Sequence, residues 1–158
     1  MSAKSLFVYD LVMNERHQVS DGEFELPVSA AAAMELFTPE GERDWVPGWD
    51  PRYPAGQPSE ERGTVFRTVA HGVTSIWLIL ELDRSRRRAE YARVTPGVHA
   101  GTVSVACEDT EPERCRVSVR YDLTTLGTPD GLEPYRPEPF AEMMETWAAM
   151  TTDYLTSA

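Results

Sequence analysis

A chain of 158 residues, 41% hydrophobic and 26% charged, has the size and make-up of one globular domain with its own core. Its formal net charge of -11 repels phosphate backbones and anionic lipid heads, which argues against nucleic-acid and membrane-surface roles. No apolar run approaches the roughly 20 residues of a membrane span, and the N-terminus lacks the order of a signal peptide, so a cytoplasmic location is expected.

Taken in order, residues 1–16 read as an N-terminal extension, with residues 4–13 a short strand or an ordered tail. Residues 17–28 suit a strand, with Phe24, Leu26 and Val28 on one face and Glu23 and Glu25 on the other. Ser29 is a helix cap, and residues 30–37 follow as a helix with Ala30, Ala33, Met34 and Phe37 on one face. Thr38-Pro39-Glu40 starts a second short helix, with threonine as cap, proline first and an acid in the first turn. It ends near Trp45, where Trp45-Val46-Pro47-Gly48-Trp49-Asp50-Pro51 forms a stiff apolar turn. The stretch to Gly63 is a loop with at most one short strand.

Five strands come next, at residues 64–70, 74–82, 88–95, 98–107 and 114–126, and their short connections make them antiparallel neighbours. The last alternates, with Cys115, Val117, Val119, Tyr121 and Leu123 turned inward. The strand at 74–82 is apolar on both faces, with Ile76, Leu78, Leu80 and Leu82 on one and Trp77 and Ile79 on the other. Either both sides are covered or one meets a second subunit, so a homodimer is among the expectations. Cys107 and Cys115 flank a polar turn. A cross-strand disulfide is sterically allowed there, but two small buried thiols are the preferred reading.

The chain closes with a helix at residues 137–155. Phe140, Met143, Met144, Trp147, Met150, Thr151 and Tyr154 share one face. Such a helix is about 30 Å long and would lie across a strand of about nine residues. A run of strands with helices set apart is an α+β layout. The terminal helix is the element long enough to cover the sheet's dry face, and a pocket is expected between the two.

From about His17 to Leu155 this order resembles the START-like (SRPBCC) superfamily, which includes the birch-pollen allergen fold, lipid-transfer domains and aromatic polyketide cyclases. The local match rests on the run from Leu36 to Trp49, on Gly63-Thr64-Val65-Phe66-Arg67-Thr68, on Ile76-Trp77-Leu78 and on Tyr121-Asp122-Leu123-Thr124-Thr125-Leu126. The resemblance implies a helix-grip fold: a curved antiparallel sheet of about seven strands around the long terminal helix, with two short helices after the first strand. It also implies a cavity for an apolar or amphipathic ligand. It carries over no catalytic set.

The expected ligand wall is Phe66, Trp77, Tyr91, His99 and Tyr121 from the strands, with Phe140, Met143, Met144, Trp147, Met150 and Tyr154 from the helix. Trp45 and Trp49 are candidates for its rim. His99, Arg93 and Tyr121 are candidate catalytic groups, His99 because it titrates near neutral pH. Arg93 inside the fold would need a partner, either Glu81 or a ligand carboxylate. No metal or cofactor motif is present in the sequence, and none is expected. The leading expectation is a carrier or binding protein for a small apolar molecule. A cofactor-free enzyme of the cyclase or dehydratase kind comes second, and an antitoxin-like or chaperone-activator-like interaction module third.

Overall fold

The computed structural model describes residues 16–157; the strand or tail expected at residues 4–13 lies outside them. The chain runs β1 (His17–Leu26), α1 (Ala30–Met34), 3-10 turns at Glu35–Phe37 and Gly41–Asp44, then β2 (Val65–Ala70), β3 (Val73–Asp83), β4 (Arg88–Thr95), β5 (His99–Glu111) and β6 (Arg114–Thr125). A third 3-10 turn, Pro129–Tyr135, leads into α2 (Pro137–Thr156). All strands pair antiparallel in one sheet of order β1-β6-β5-β4-β3-β2.

The local signals act as their chemistry requires. The Ser29 hydroxyl accepts from the Ala32 N–H at 3.2 Å and starts α1. The Thr38 hydroxyl accepts from the Gly41 N–H at 2.9 Å and starts the second turn. Both helical segments are shorter than expected and tighten to 3-10 geometry, which suits single-turn connectors.

Six strands form among the described residues, not about seven. Beyond β2 there is a single bridge, Arg52 opposite Arg67. Pro51, Pro54 and Pro58 surround it, and a residue without an N–H cannot extend a ladder.

A second correction concerns β3. Its register shifts between Ile79 and Glu81, leaving Leu80 as the extra residue of a bulge. The slip moves later side chains to the opposite face. Ile76 and Leu78 therefore point outward and stay exposed, whereas Leu82 packs against the core. Val65, opposite Leu78, and Val94, opposite Ile76, extend the outward apolar patch.

The two cysteines remain free and buried. Cys107 faces Val117 and Cys115 faces Asp109, so the hairpin register sets the thiols two residues apart. Burial pushes the Cys107 thiol up to about 12.

The inner face of the sheet is covered in two ways. The terminal helix lies on β1 and the neighbouring part of β6. Phe140 and Met144 are buried there, and the Phe140 ring meets Tyr121 edge-on at 5.6 Å. The approach is close enough that a Cβ on Gly22 of β1 would sit 2.6 Å from the Met144 side chain. Over β2, β3 and β4 the cover is instead the loop from Thr38 to Trp49.

Candidate functional site

A cavity of about 180 Å³ lies between that loop and the inner face of β2 to β6. Alternation along the strands delivers its wall: Phe66 and Thr68 from β2, Ser75 and Trp77 from β3, Tyr91 and Arg93 from β4, Val103 and Val105 from β5, and Tyr121 from β6. The loop adds Pro39, Glu42, Val46 and Trp49, and α2 adds Trp147. Pro47, Gly48, Val69 and Ala70 also line the space and are exposed, so they mark its mouth. Gly48 turns the loop there with φ of 74°, a conformation that favours glycine. Larger concavities are open surface grooves: one of about 470 Å³ is edged by Asp21 and Glu23, one of about 500 Å³ runs between β1 and α2 past Phe24 and Phe140, and one of about 850 Å³ is edged by Glu60, Glu61 and Glu90.

Aromatic rings fix the wall against one another. Phe66 and Trp77 lie parallel at 5.8 Å, and Trp49 meets Trp77 edge-on at 5.7 Å. The Trp49 indole N–H donates to the Pro39 carbonyl at 2.8 Å, and the Tyr91 hydroxyl donates to the Phe37 carbonyl at 3.0 Å. The Trp77 indole donates to Thr68 at 3.0 Å. These ring donors are satisfied by protein, so the cavity presents mainly apolar ring surface.

Two polar groups break that surface. Arg93 lies with its guanidinium carbon 4.9 Å from the Trp77 ring and 5.9 Å from the Tyr135 ring. It donates to the Tyr135 hydroxyl at 3.0 Å and reaches Ser75 at 3.5 Å, while its Nε is buried without a partner. Of the two partners considered for it, Glu81 or a ligand carboxylate, Glu81 does not pair with it; among the described residues no carboxylate is in ion-pair range of Arg93. Glu42, on the opposing loop, has no side-chain hydrogen bond among the described residues. Burial pushes its carboxyl up to about 8 against the opposing pull of Arg93.

His99 lies below this site, outside its wall. Its Nδ1 faces the Gly131 carbonyl at 3.1 Å, which can only accept, so Nδ1 carries the proton. Nε2 then accepts from Thr95 at 3.2 Å, and Thr95 accepts from Ser75 at 2.8 Å. The chain Arg93–Ser75–Thr95–His99–Gly131 thus suits a neutral imidazole. Burial and then Arg93 hold His99 below the usual histidine range, with the Gly131 bond opposing.

Of the expected site residues, Phe66, Trp77, Tyr91, Tyr121, Trp147, Trp49 and Arg93 come together at the cavity. Phe140 and Met144 pack toward β1 instead, and Met143 and Met150 are half-buried outside the cavity wall. Tyr154 is exposed and donates to Asp44 at 3.2 Å. Trp45, expected at the rim, is buried behind it; its indole donates to the Leu36 carbonyl at 2.6 Å and meets Trp147 edge-on. Glu42, Ser75 and Thr68 were not anticipated. For Glu42 a signal existed: it shares the spacing of Trp45, Val46 and Trp49 at three, four and seven residues, so it lies on the loop's inner side.

Among the described residues no group of acids, histidines and cysteines is placed to hold a metal. None of their helices is long and apolar enough to cross a membrane.

An antiparallel sheet with short helices after its first strand and a long terminal helix is the helix-grip fold. Solved structures with this architecture include norcoclaurine synthase from Thalictrum flavum, at 13% identity and a TM-score of 0.65, with 90% of this chain and 95% of that one covered. Ara h 8.0201 is similar at 15% identity and a TM-score of 0.66, covering 89% and 99%. Major latex-like protein 151 from Panax ginseng stands at 15% and 0.63, covering 89% and 97%. The synthase is also solved in complex with dopamine and hydroxybenzaldehyde, at 13% identity and a TM-score of 0.62, covering 89% and 87%. These identities carry the fold and no residue role. No protein-family model and no curated protein matches the chain.

Proposed function

We propose that this protein binds a small hydrophobic or amphipathic molecule in the cavity beneath the Thr38–Trp49 loop. The observation that carries the reading is a cavity of about 180 Å³ walled by Trp49, Phe66, Trp77, Tyr91 and Trp147. A cavity of about 150 Å³ holds benzene, so this one suits a single ring with a small substituent. The dopamine and hydroxybenzaldehyde bound by the similar synthase are of that size. Tryptophan fluorescence, read against a panel of one-ring and three-ring aromatic compounds, tests the reading. One-ring compounds quench the emission saturably and three-ring compounds do not. An emission unchanged by every compound removes the proposal.

A cofactor-free enzyme of the cyclase or dehydratase kind is the second reading. It is favoured by the convergence of Glu42, Arg93 and Tyr121 on one cavity. An acid–base group beside an oxyanion-holding guanidinium suits proton transfer next to a carbonyl. Exchange of the methyl protons of acetophenone in D2O tests it by NMR. Acceleration by the protein, lost in Glu42→Gln, supports an enzyme; no acceleration leaves the binding reading alone.

The outward patch of Val65, Ile76, Leu78 and Val94 supports one further proposal, a homodimer through this face. Sedimentation showing only monomer at micromolar concentration removes it.

A further inference from the structure

We infer that the cavity selects one-ring guests carrying an anionic oxygen, a carboxylate or an acidic phenolate, and seats that oxygen on the in-plane N–H groups of Arg93. The inference rests on the binding reading above and adds the charge of the guest.

Three observations converge on it. The first is geometric. Aromatic rings lie over the Arg93 guanidinium, with Trp77 at 4.9 Å and Tyr135 at 5.9 Å. A guanidinium has five N–H donors in its own plane, and ring faces do not serve them. Two bonds are made, one of them at the 3.5 Å limit, and Nε is shut off from solvent without a partner.

The second is electrostatic. The chain holds 26 acidic against 15 basic residues, yet none of the described acids pairs with Arg93. Exposed arginines do find partners: Arg84 bonds Glu35 and Glu60, and Arg114 bonds Glu25. Arg93 is half-buried with its Nε closed off, and a guanidinium drawn out of water without a counter-charge is costly, so an incoming anion would complete the set.

The third concerns the neighbours. Glu42 is faced by Tyr91 and Arg93 from β4 and by Tyr121 from β6; β2, β3, β5 and α2 bring no titrating group to the wall. On its own turn, Arg43 and Asp44 face solvent. Burial holds the Glu42 carboxyl up, to about 8, and pushes both tyrosines up as well. Burial thus favours the neutral form of Glu42 beside the Arg93 charge. The protonated Glu42 can donate a hydrogen bond to the same anion.

Calorimetric or NMR titration with benzoate and its neutral isostere benzamide tests the assignment. Benzoate is expected to bind at least about tenfold more tightly, the equivalent of about 1.4 kcal/mol. Arg93→Met, which keeps an apolar stem between the rings, abolishes that preference. The preference also falls as the pH rises from about 6 to about 9, where Glu42 ionises, and this fall flattens in Glu42→Gln. The wild-type ratio and its pH profile decide the matter even where Arg93→Met does not fold. Benzamide binding as tightly as benzoate overturns the charge assignment and leaves the cavity reading in place. Failure of benzoate, benzamide and neutral indole alike overturns the cavity reading itself.

Discussion

The two sides of the sheet's inner face meet different covers. On β1 and the adjoining part of β6 the terminal helix presses down, with Phe140 and Met144 filling the contact and Gly22 leaving no room for a side chain. On β2 to β4 a short loop held by Thr38, Trp45 and Trp49 stands off from the strands, and about 180 Å³ stays open. The helix seats Phe140 and Met144 directly on β1 and leaves only an open groove along its flank. A loop anchored at a few ring N–H groups spans a gap without filling it. The filled side holds the fold together, and the hollow side is free to hold a guest.

Truncation on the filled side should have the largest effect. Phe140→Ala should lower unfolding free energy by about 3–5 kcal/mol, read by urea denaturation, with little change in guest affinity. A small stability effect would mean that the helix is not the main seal.

Next comes the one acid of the hollow side. Glu42 has its folded pKa raised to about 8. The unfolded chain sheds this proton from about pH 4.5 upward, while the folded chain keeps it until about pH 8. Stability therefore falls across that window and levels off above it. Glu42→Gln removes the loss, so the variant's advantage should widen from about pH 4.5 to about pH 8 and reach roughly 2–4 kcal/mol. An advantage independent of pH would contradict the raised pKa of this half-buried carboxyl.

A matched pair sharpens the contrast further. Val117→Leu, at a fully buried position of β6 away from the cavity, should cost about 1–3 kcal/mol through overpacking. Val103→Leu, which grows into the cavity from β5, should be neutral or stabilising by up to about 1 kcal/mol. The same Val103→Leu should weaken guest binding. Equal costs at the two positions would erase the distinction between filled and hollow.

Much of this was legible in the sequence, and the rest was hidden for identifiable reasons. The alternation of Cys115, Val117, Val119, Tyr121 and Leu123 fixes the inward face of β6, and Ser29 and Thr38 mark where helical turns begin. The β3 bulge was not legible, because the leucine at position 80 looks like a regular step in an alternating strand until its partner shows the slip. The helix face was legible as buried but not as to what it buries against. Phe140, Met144 and Trp147 share a stripe, yet Trp147 alone of the three reaches the cavity, since the others are taken up against β1 and Tyr121. The partnerless Nε of Arg93 is a property of three-dimensional neighbours and leaves no trace in residue spacing.

The chain has four tryptophans, and Trp49, Trp77 and Trp147 line the cavity while Trp45 stands behind it. Indole N–H and methionine methyl resonances, followed together during a benzoate titration, therefore test the central claim most directly. The account predicts saturable shifts at the Trp49 and Trp77 indoles and a still Met144 methyl. Movement of Met144 with Trp49 and Trp77 unmoved would contradict it.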